Sequence, residues 1–571
     1  MTDHEPSPPG ALSRRGFLSS AAALAAGPVL VRADPAVAAV ELPDFPADVP
    51  LYRTAYRNWV GDITAHGLWA CAPETPGQVV AAVNWAWRHG TRVRARGASH
   101  GWSPLTIPAG TPAGAPVLLV DTTRGLTGLS VESSGTVRAG TGVTMEALLT
   151  RLEEHGLGLT AVPAPGDLTL GGALAVDAHG TAVPAQGERR PAGHTYGSLS
   201  NLVLSLTAVV WDPEAGAYTL RTFRRDETDC AALLVHLGRA LVTEVVLRVG
   251  TNASLRCVSR TDIPAAELFA APDSGARRTL ASFVEESGRV EAIWFAFTEH
   301  PWLKVWSVAP TRPLTSRRVT RPYNYPFSDS VPTVVADLVG RIVTEGAWYL
   351  APVLGNAQFD VAALGLVTTL SADLWGPSKN TLLYVRPTTL RVHANGYAVL
   401  TSRAEVQRVV AEFTAFYRER LTAYAAQGRF PVNGAVEIRV TGLDDPAEAE
   451  SAGARVPLLS ALRPVGGRPD WDTAVWLDVL TLPGTKDAEP FLRELERFLL
   501  SAFDGGRALA RVEWSKGWAY TDTAAWSDEE VTGTVVPASF GEAEWGRAAG
   551  VLDRLDPHHV FGNAFLDRLL G

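Results

Sequence analysis

Three groups of residues in this 571-residue chain have types and spacings that could do chemistry. The first is Arg94-Ala95-Arg96-Gly97-Ala98-Ser99-His100-Gly101-Trp102, a glycine-bracketed loop directly after a strand pattern. Glycine permits close backbone approach, so several N–H groups of such a loop can turn toward one anion. A histidine there could be a general base, a metal ligand or a covalent attachment point. The loop is not a G-x-G-x-x-G dinucleotide fingerprint, so a Rossmann assignment is unsupported. The second group, Pro163 to Gly172, is dense in Pro and Gly and continues through Asp177, His179 and Gly180. The third is Glu437-Ile438-Arg439. On a strand, residues i and i+2 share a face, so carboxylate and guanidinium would project together, into a pocket or as a surface ion pair. Beside an apolar pocket, burial raises a carboxyl pKa and an adjacent Arg lowers it, which tunes the pair for proton transfer.

The elements that must position these groups alternate in type. Thr75-Pro76-Gly77 supplies a capping hydroxyl and a first-turn Pro; Val80, Val83 and Trp87 repeat at helical spacing, and Gly90 closes the helix. Strands are predicted at 91–96, 117–120, 129–131, 136–139, 202–211 and 241–249, with a helix over 145–155 capped by Thr144. Residues 50–250 therefore read as one α+β domain. From 251 to 525 the loops lengthen and most of the remaining Trp residues appear, which suggests a second domain covering the first; 526–571 is expected to return to the first.

Composition narrows the function. A net charge of -9 argues against affinity for nucleic acid. Cys71, Cys230 and Cys257 are too few for a disulfide framework and are expected to be buried thiols. No metal site is predicted. The seventeen Trp residues suggest bulky core and pocket walls. Ser13-Arg14-Arg15-Gly16-Phe17-Leu18, an alanine-rich apolar run and the small residues ending at Ala39 read as a twin-arginine export signal over 1–39, implying a secreted protein that loads its cofactor before it leaves the cytoplasm.

The His100 block resembles the flavin-attachment loop of the vanillyl-alcohol-oxidase superfamily, in which such a His bonds the flavin 8α carbon. Arg96 to Pro104, Pro163 to Gly180, Gly193 to Leu202, Glu291-Ala292-Ile293-Trp294, the Glu437 block, Glu513-Trp514-Ser515-Lys516-Gly517-Trp518 and Asp556-Pro557-His558 narrow the resemblance to the covalent-flavin (type II) bacterial cholesterol oxidases. It implies an α+β fold with a PCMH-type FAD-binding domain plus a large substrate-binding domain built on a mixed or antiparallel sheet. FAD would be held by Arg96, Gly97, Ala98, Ser99, His100, Gly101, Trp102, Pro165, Gly166, Asp167, Gly171, Gly172, Asp177, His179, Gly180, Gly197, Ser198, Asn201 and Asn563. Relatives with two covalent bonds carry a Cys where Asp167 aligns, so a single link through His100 is implied.

The resemblance also places Glu437 and Arg439 beside the flavin, with Glu291, Lys516 and Asp478 in the same pocket. Asp478 departs from the family's Asn, and Ala394 stands where an acidic residue was expected. The implied reaction is oxidation of a sterol 3β-hydroxyl by O2, giving peroxide, with Δ5 to Δ4 isomerisation by Glu291 or Glu437. A monomer is expected, and the substrate class allows transient contact with sterol-containing membranes. A polyol oxidase of the same superfamily would need a small polar pocket; a binding protein that had lost catalysis would not need both Glu437 and Arg439.

Overall fold

The computed structural model describes residues 42–329 and 333–571. The proposed signal sequence lies outside the described residues.

The first domain begins with a four-stranded sheet. The helix Pro76–Arg88 starts where Thr75 accepts the N–H of Gln78, and it buries Val79, Ala82, Val83, Trp85 and Ala86. It leads into the strand Arg92–Arg96, which runs parallel to Val117–Asp121. The His100 loop thus leaves the carboxyl end of a parallel strand, the position from which α/β sheets commonly present ligand loops. A second, five-stranded sheet is antiparallel, and its central strand Leu241–Arg248 alternates buried and half-buried residues as a one-sided strand should. The helix Met145–Glu153, capped by Thr144, supports the second Gly-rich block, because Glu146 N–H donates to Gly166 O and Met145 N–H to Leu168 O.

The second domain is organised by a nine-stranded sheet, antiparallel except where Arg317–Arg318 pairs in parallel with Asp373–Pro377. Its centre runs Trp302–Val308, Arg289–Phe295, Ala435–Gly442, Thr473–Thr481, His393–Thr401. On one face Val436, Ile438 and Val440 belong to the main apolar core, where the helix Val406–Ala425 lies against the strand Thr473–Thr481. Each such fully buried aliphatic side chain contributes about 1.5–3 kcal/mol. The opposite face carries the charged residues. Register alone aligns Lys304, Glu291, Arg439 and Trp476 in one cross-strand row, and Ile293, Glu437, Asp478 and Gly396 in the next.

Residues 542–563 pack against elements of the first domain. The helix Glu542–Leu555 packs on the strand Val203–Asp212, Asp556 accepts Arg239 Nη1 at 3.0 Å, and Val93 N–H donates to Val560 O at 2.7 Å. All three cysteines are buried and unpaired.

Candidate active site

A cavity of about 430 Å³ runs from the His100 loop to the charged face of the large sheet. Gly97, Ala98, Ser99, His100, Gly101 and Trp102 line one end, and Pro165, Gly171, Gly172, Asp177, His179 and Gly180 form the adjoining wall. The two loops nest tightly: a Cβ on Gly97 would lie 2.0 Å from Thr169 Oγ1, so glycine is required by the approach. His100 stacks on Trp59 at 4.1 Å, and its Nε2 is 2.7 Å from Asp167 Oδ2.

At the other end five of the sequence-predicted residues converge. Arg439 donates Nε to Glu291 at 2.8 Å, Nη1 to Asp478 at 2.8 Å and Nη2 to Glu437. Lys516 binds Asp478 directly and lies 3.0 Å from Glu513. Tyr384 donates its hydroxyl to Glu291 at 2.6 Å. The fully buried Lys304 ammonium sits 3.3 Å from Glu291 and 3.0 Å from the Tyr384 ring centroid. His179 stacks on Trp476 at 3.6 Å and faces Glu513 at 3.9 Å. Gly396 makes this convergence possible, since a Cβ there would lie 2.8 Å from both Asp478 and Glu513.

The electrostatics separate the carboxylates. Burial would raise Glu291, but the charges of Lys304 and Arg439 and the Tyr384 hydroxyl outweigh it and hold the carboxyl at about 2. Burial pushes Asp478 up to about 7 against the pull of Lys516 and Arg439. Glu513 is held below the ordinary range because Lys516 and His179 overcome its burial. Burial lowers the His179 imidazole, which favours its neutral form. Four carboxylates (Glu291, Glu437, Asp478, Glu513) thus face three cations (Lys304, Arg439, Lys516), and a proton on Asp478 makes the cluster neutral.

Sequence reasoning missed Lys304, Tyr384, Glu513 and Gly396. Lys304 carried a signal, a lone charge inside the apolar strand Trp302–Val308; Tyr384 carried none. Several expected flavin contacts lie off the cavity wall. Arg96 is engaged by Asp121 at 2.6 Å and Tyr52, and Gly166 serves the neighbouring helix through its carbonyl. Gly197 gives Asp444 room, and Ser198 donates to it. Asn201 receives Arg225 and binds Asp445 O, and Asn563 caps the final helix while donating to Pro104 O and Leu105 O. Ala394 lines the cavity.

Two Gly-rich loops, buried oxygens without partners on Asp167 and Asp177, and a long cavity fit FAD; the fold and site define a two-domain FAD-dependent oxidoreductase. Residues 69–214 match the FAD binding domain model, and residues 254–571 match the model "cholesterol oxidase, substrate-binding". The chain belongs to the cholesterol oxidase family. It is 54% identical to a solvent-stable cholesterol oxidase (TM-score 0.91, covering 93% of this chain and 100% of that one). It is 44% identical to cholesterol oxidase from Brevibacterium sterolicum (TM-score 0.90, 94% and 100%). A chitooligosaccharide oxidase, 11% identical with a TM-score of 0.53 over 89% and 92% of the two chains, shares the fold alone. No curated protein sequence gives a significant match.

Proposed function

We propose that this chain oxidises the 3β-hydroxyl of cholesterol or a related sterol with O2, giving the 3-keto steroid and hydrogen peroxide. The observation that carries this reading is that the Glu437–Arg439 pair and the His100 loop line one cavity in a chain of the cholesterol oxidase family. FAD held by these loops would supply the redox chemistry, as the acceptor for the carbinol hydride. The protein holds the carbinol and takes up its proton. Glu437 is suited to accept it, because its side chain is 21% exposed and a single cation, Arg439, binds it. Glu291, pinned by Arg439, Lys304 and Tyr384, makes a poor base, so Glu437 also moves the proton in the Δ5 to Δ4 isomerisation. Trp306, Leu382, Leu390, Val392 and Leu480 give the sterol rings an apolar wall, unlike the small polar pocket a polyol would need.

A single covalent flavin link forms at His100. Asp167 Oδ2, 2.7 Å from Nε2, would orient the ring so that Nδ1 is the atom that replaces a hydrogen on the flavin 8α carbon, with the electron pair of that C–H bond passing to the flavin ring. Export follows the twin-arginine route. Contact with sterol-bearing bilayers is made by the apolar segment Trp348–Thr368, which is only a third buried and exposes Val353, Leu364 and Val367 at helical spacing. Its Leu354 packs in one cluster with Leu390 and Val392 of the cavity wall. The deciding experiment is peroxide release with dispersed cholesterol against xylitol and sorbitol. Cholesterol is expected to dominate; equal or better turnover of the polyols would overturn the sterol assignment.

A further inference from the structure

Below the cavity wall, two buried carboxylates meet at one hydroxyl. Ser460 Oγ lies 2.8 Å from Asp177 Oδ2 and 2.6 Å from Asp444 Oδ2, and it accepts the N–H of Leu462 at 2.9 Å. A hydroxyl has one hydrogen and cannot donate to both carboxylates, so one of the two must carry a proton. The donors decide which. Burial raises both carboxyls, but Asp444 receives Ser198 N–H at 2.6 Å and Ser198 Oγ at 2.9 Å besides Ser460, with the Arg225 charge nearby, and this fuller set of donors makes it the one that keeps its charge. Asp177 has the Ala461 N–H at 2.8 Å, and its Oδ1 is buried without a partner in a residue that lines the flavin cavity.

We propose that Asp177 is a flavin-positioning residue that works as a neutral carboxylic acid, donating its proton to Ser460 and presenting Oδ1 as a hydrogen-bond acceptor to the bound flavin. The chain of donors then runs Asp177 to Ser460 to Asp444 with every atom satisfied. Burial and the adjacent Asp444 charge push Asp177 up to about 8, and Arg511 is the cation that opposes them from its own side. Asp177 lies two residues before His179, and Asp444 follows the strand that carries Glu437 and Arg439. The shared proton therefore ties the flavin wall to the catalytic strand.

The proposal rests on FAD occupying this cavity; wild-type protein purified without flavin would sink that reading before any variant is compared. The test is infrared difference spectroscopy of wild type against Asp177→Asn at pH 7, together with the visible flavin spectrum of the Asn and Ala variants. The wild type should show the C=O stretch of a protonated carboxyl that Asp177→Asn lacks. Asp177→Asn, which keeps an acceptor in the same place, should keep the wild-type flavin bands, and Asp177→Ala should shift them. Absence of the protonated-carboxyl signal, or an Ala variant with unchanged flavin bands, overturns the proposal. Should the Ala variant fail to fold, the infrared comparison decides alone.

Discussion

Replacing Glu437 by Gln removes a base and almost nothing else. The side chain is 21% exposed, and its one strong partner, Arg439, keeps Glu291 and Asp478. The amide oxygen can still accept from Arg439, so stability should fall by only about 1 kcal/mol. The cluster then has three carboxylates for three cations, and Asp478 is expected to release its proton, which restores neutrality without placing a base where Glu437 stood. Catalysis loses the general-base contribution, typically 10²–10⁴-fold, or about 3–5 kcal/mol at ~1.4 kcal/mol per tenfold. Peroxide release gives the steady-state loss, and anaerobic stopped-flow reduction of the flavin isolates the step. A variant with full flavin content that reduces within about threefold of the wild-type rate would refute the assignment of Glu437 as base.

Three further outcomes are expected. Acid-precipitated wild type should stay yellow, whereas His100→Ala should leave its flavin in the supernatant; a colourless wild-type pellet would exclude the covalent link. Asp478 is raised to about 7 in the fold against an ordinary value of 3.8, so the folded state retains a proton across that interval. Its contribution to stability therefore declines as pH rises from about 4 to 7, by up to roughly 4 kcal/mol, and levels off above. Asp478→Asn should escape this decline, and thermal midpoints that move in parallel with the wild type across that range would contradict it. Leu364→Asp with Val367→Asp should weaken co-sedimentation with cholesterol-containing vesicles about tenfold or more while leaving detergent-dispersed turnover unchanged; unchanged co-sedimentation would reject this helix as the docking face.

What could be read from the residues follows their range of interaction. Local signals held well: the Thr75 and Thr144 caps, the strand leading into His100 and the shared face of Glu437 and Arg439 all appear as expected. The convergence of Glu291 and Asp478 on Arg439, with Lys516 joining through Asp478, required the family resemblance, because strand register, not spacing along the chain, brings the first three together. Tyr384 stayed hidden because its hydroxyl has meaning only against Glu291, and the lone charge of Lys304 gave no sign of that same partner. Asn201, Ser198 and Asn563 were assigned to the flavin from the resemblance; what the sequence did not disclose is that their side chains bond Asp445 O, Asp444 and Pro104 O, far away along the chain.

The clasp at the chain's end bears on the order in which the protein is made. Arg94, which precedes the His100 loop, donates to the carbonyls of Phe561 and Gly238, and Asn563 donates to Pro104 O and Leu105 O just beyond that loop. Both flanks of the loop are therefore completed by residues that lie 467 and 459 positions further along the chain. A nascent chain can build its first sheet early, but it cannot close the cradle around His100 until Phe561 and Asn563 have been added. A chain interrupted before Phe561 would lack these fastenings and could not hold the cofactor loop in its final form.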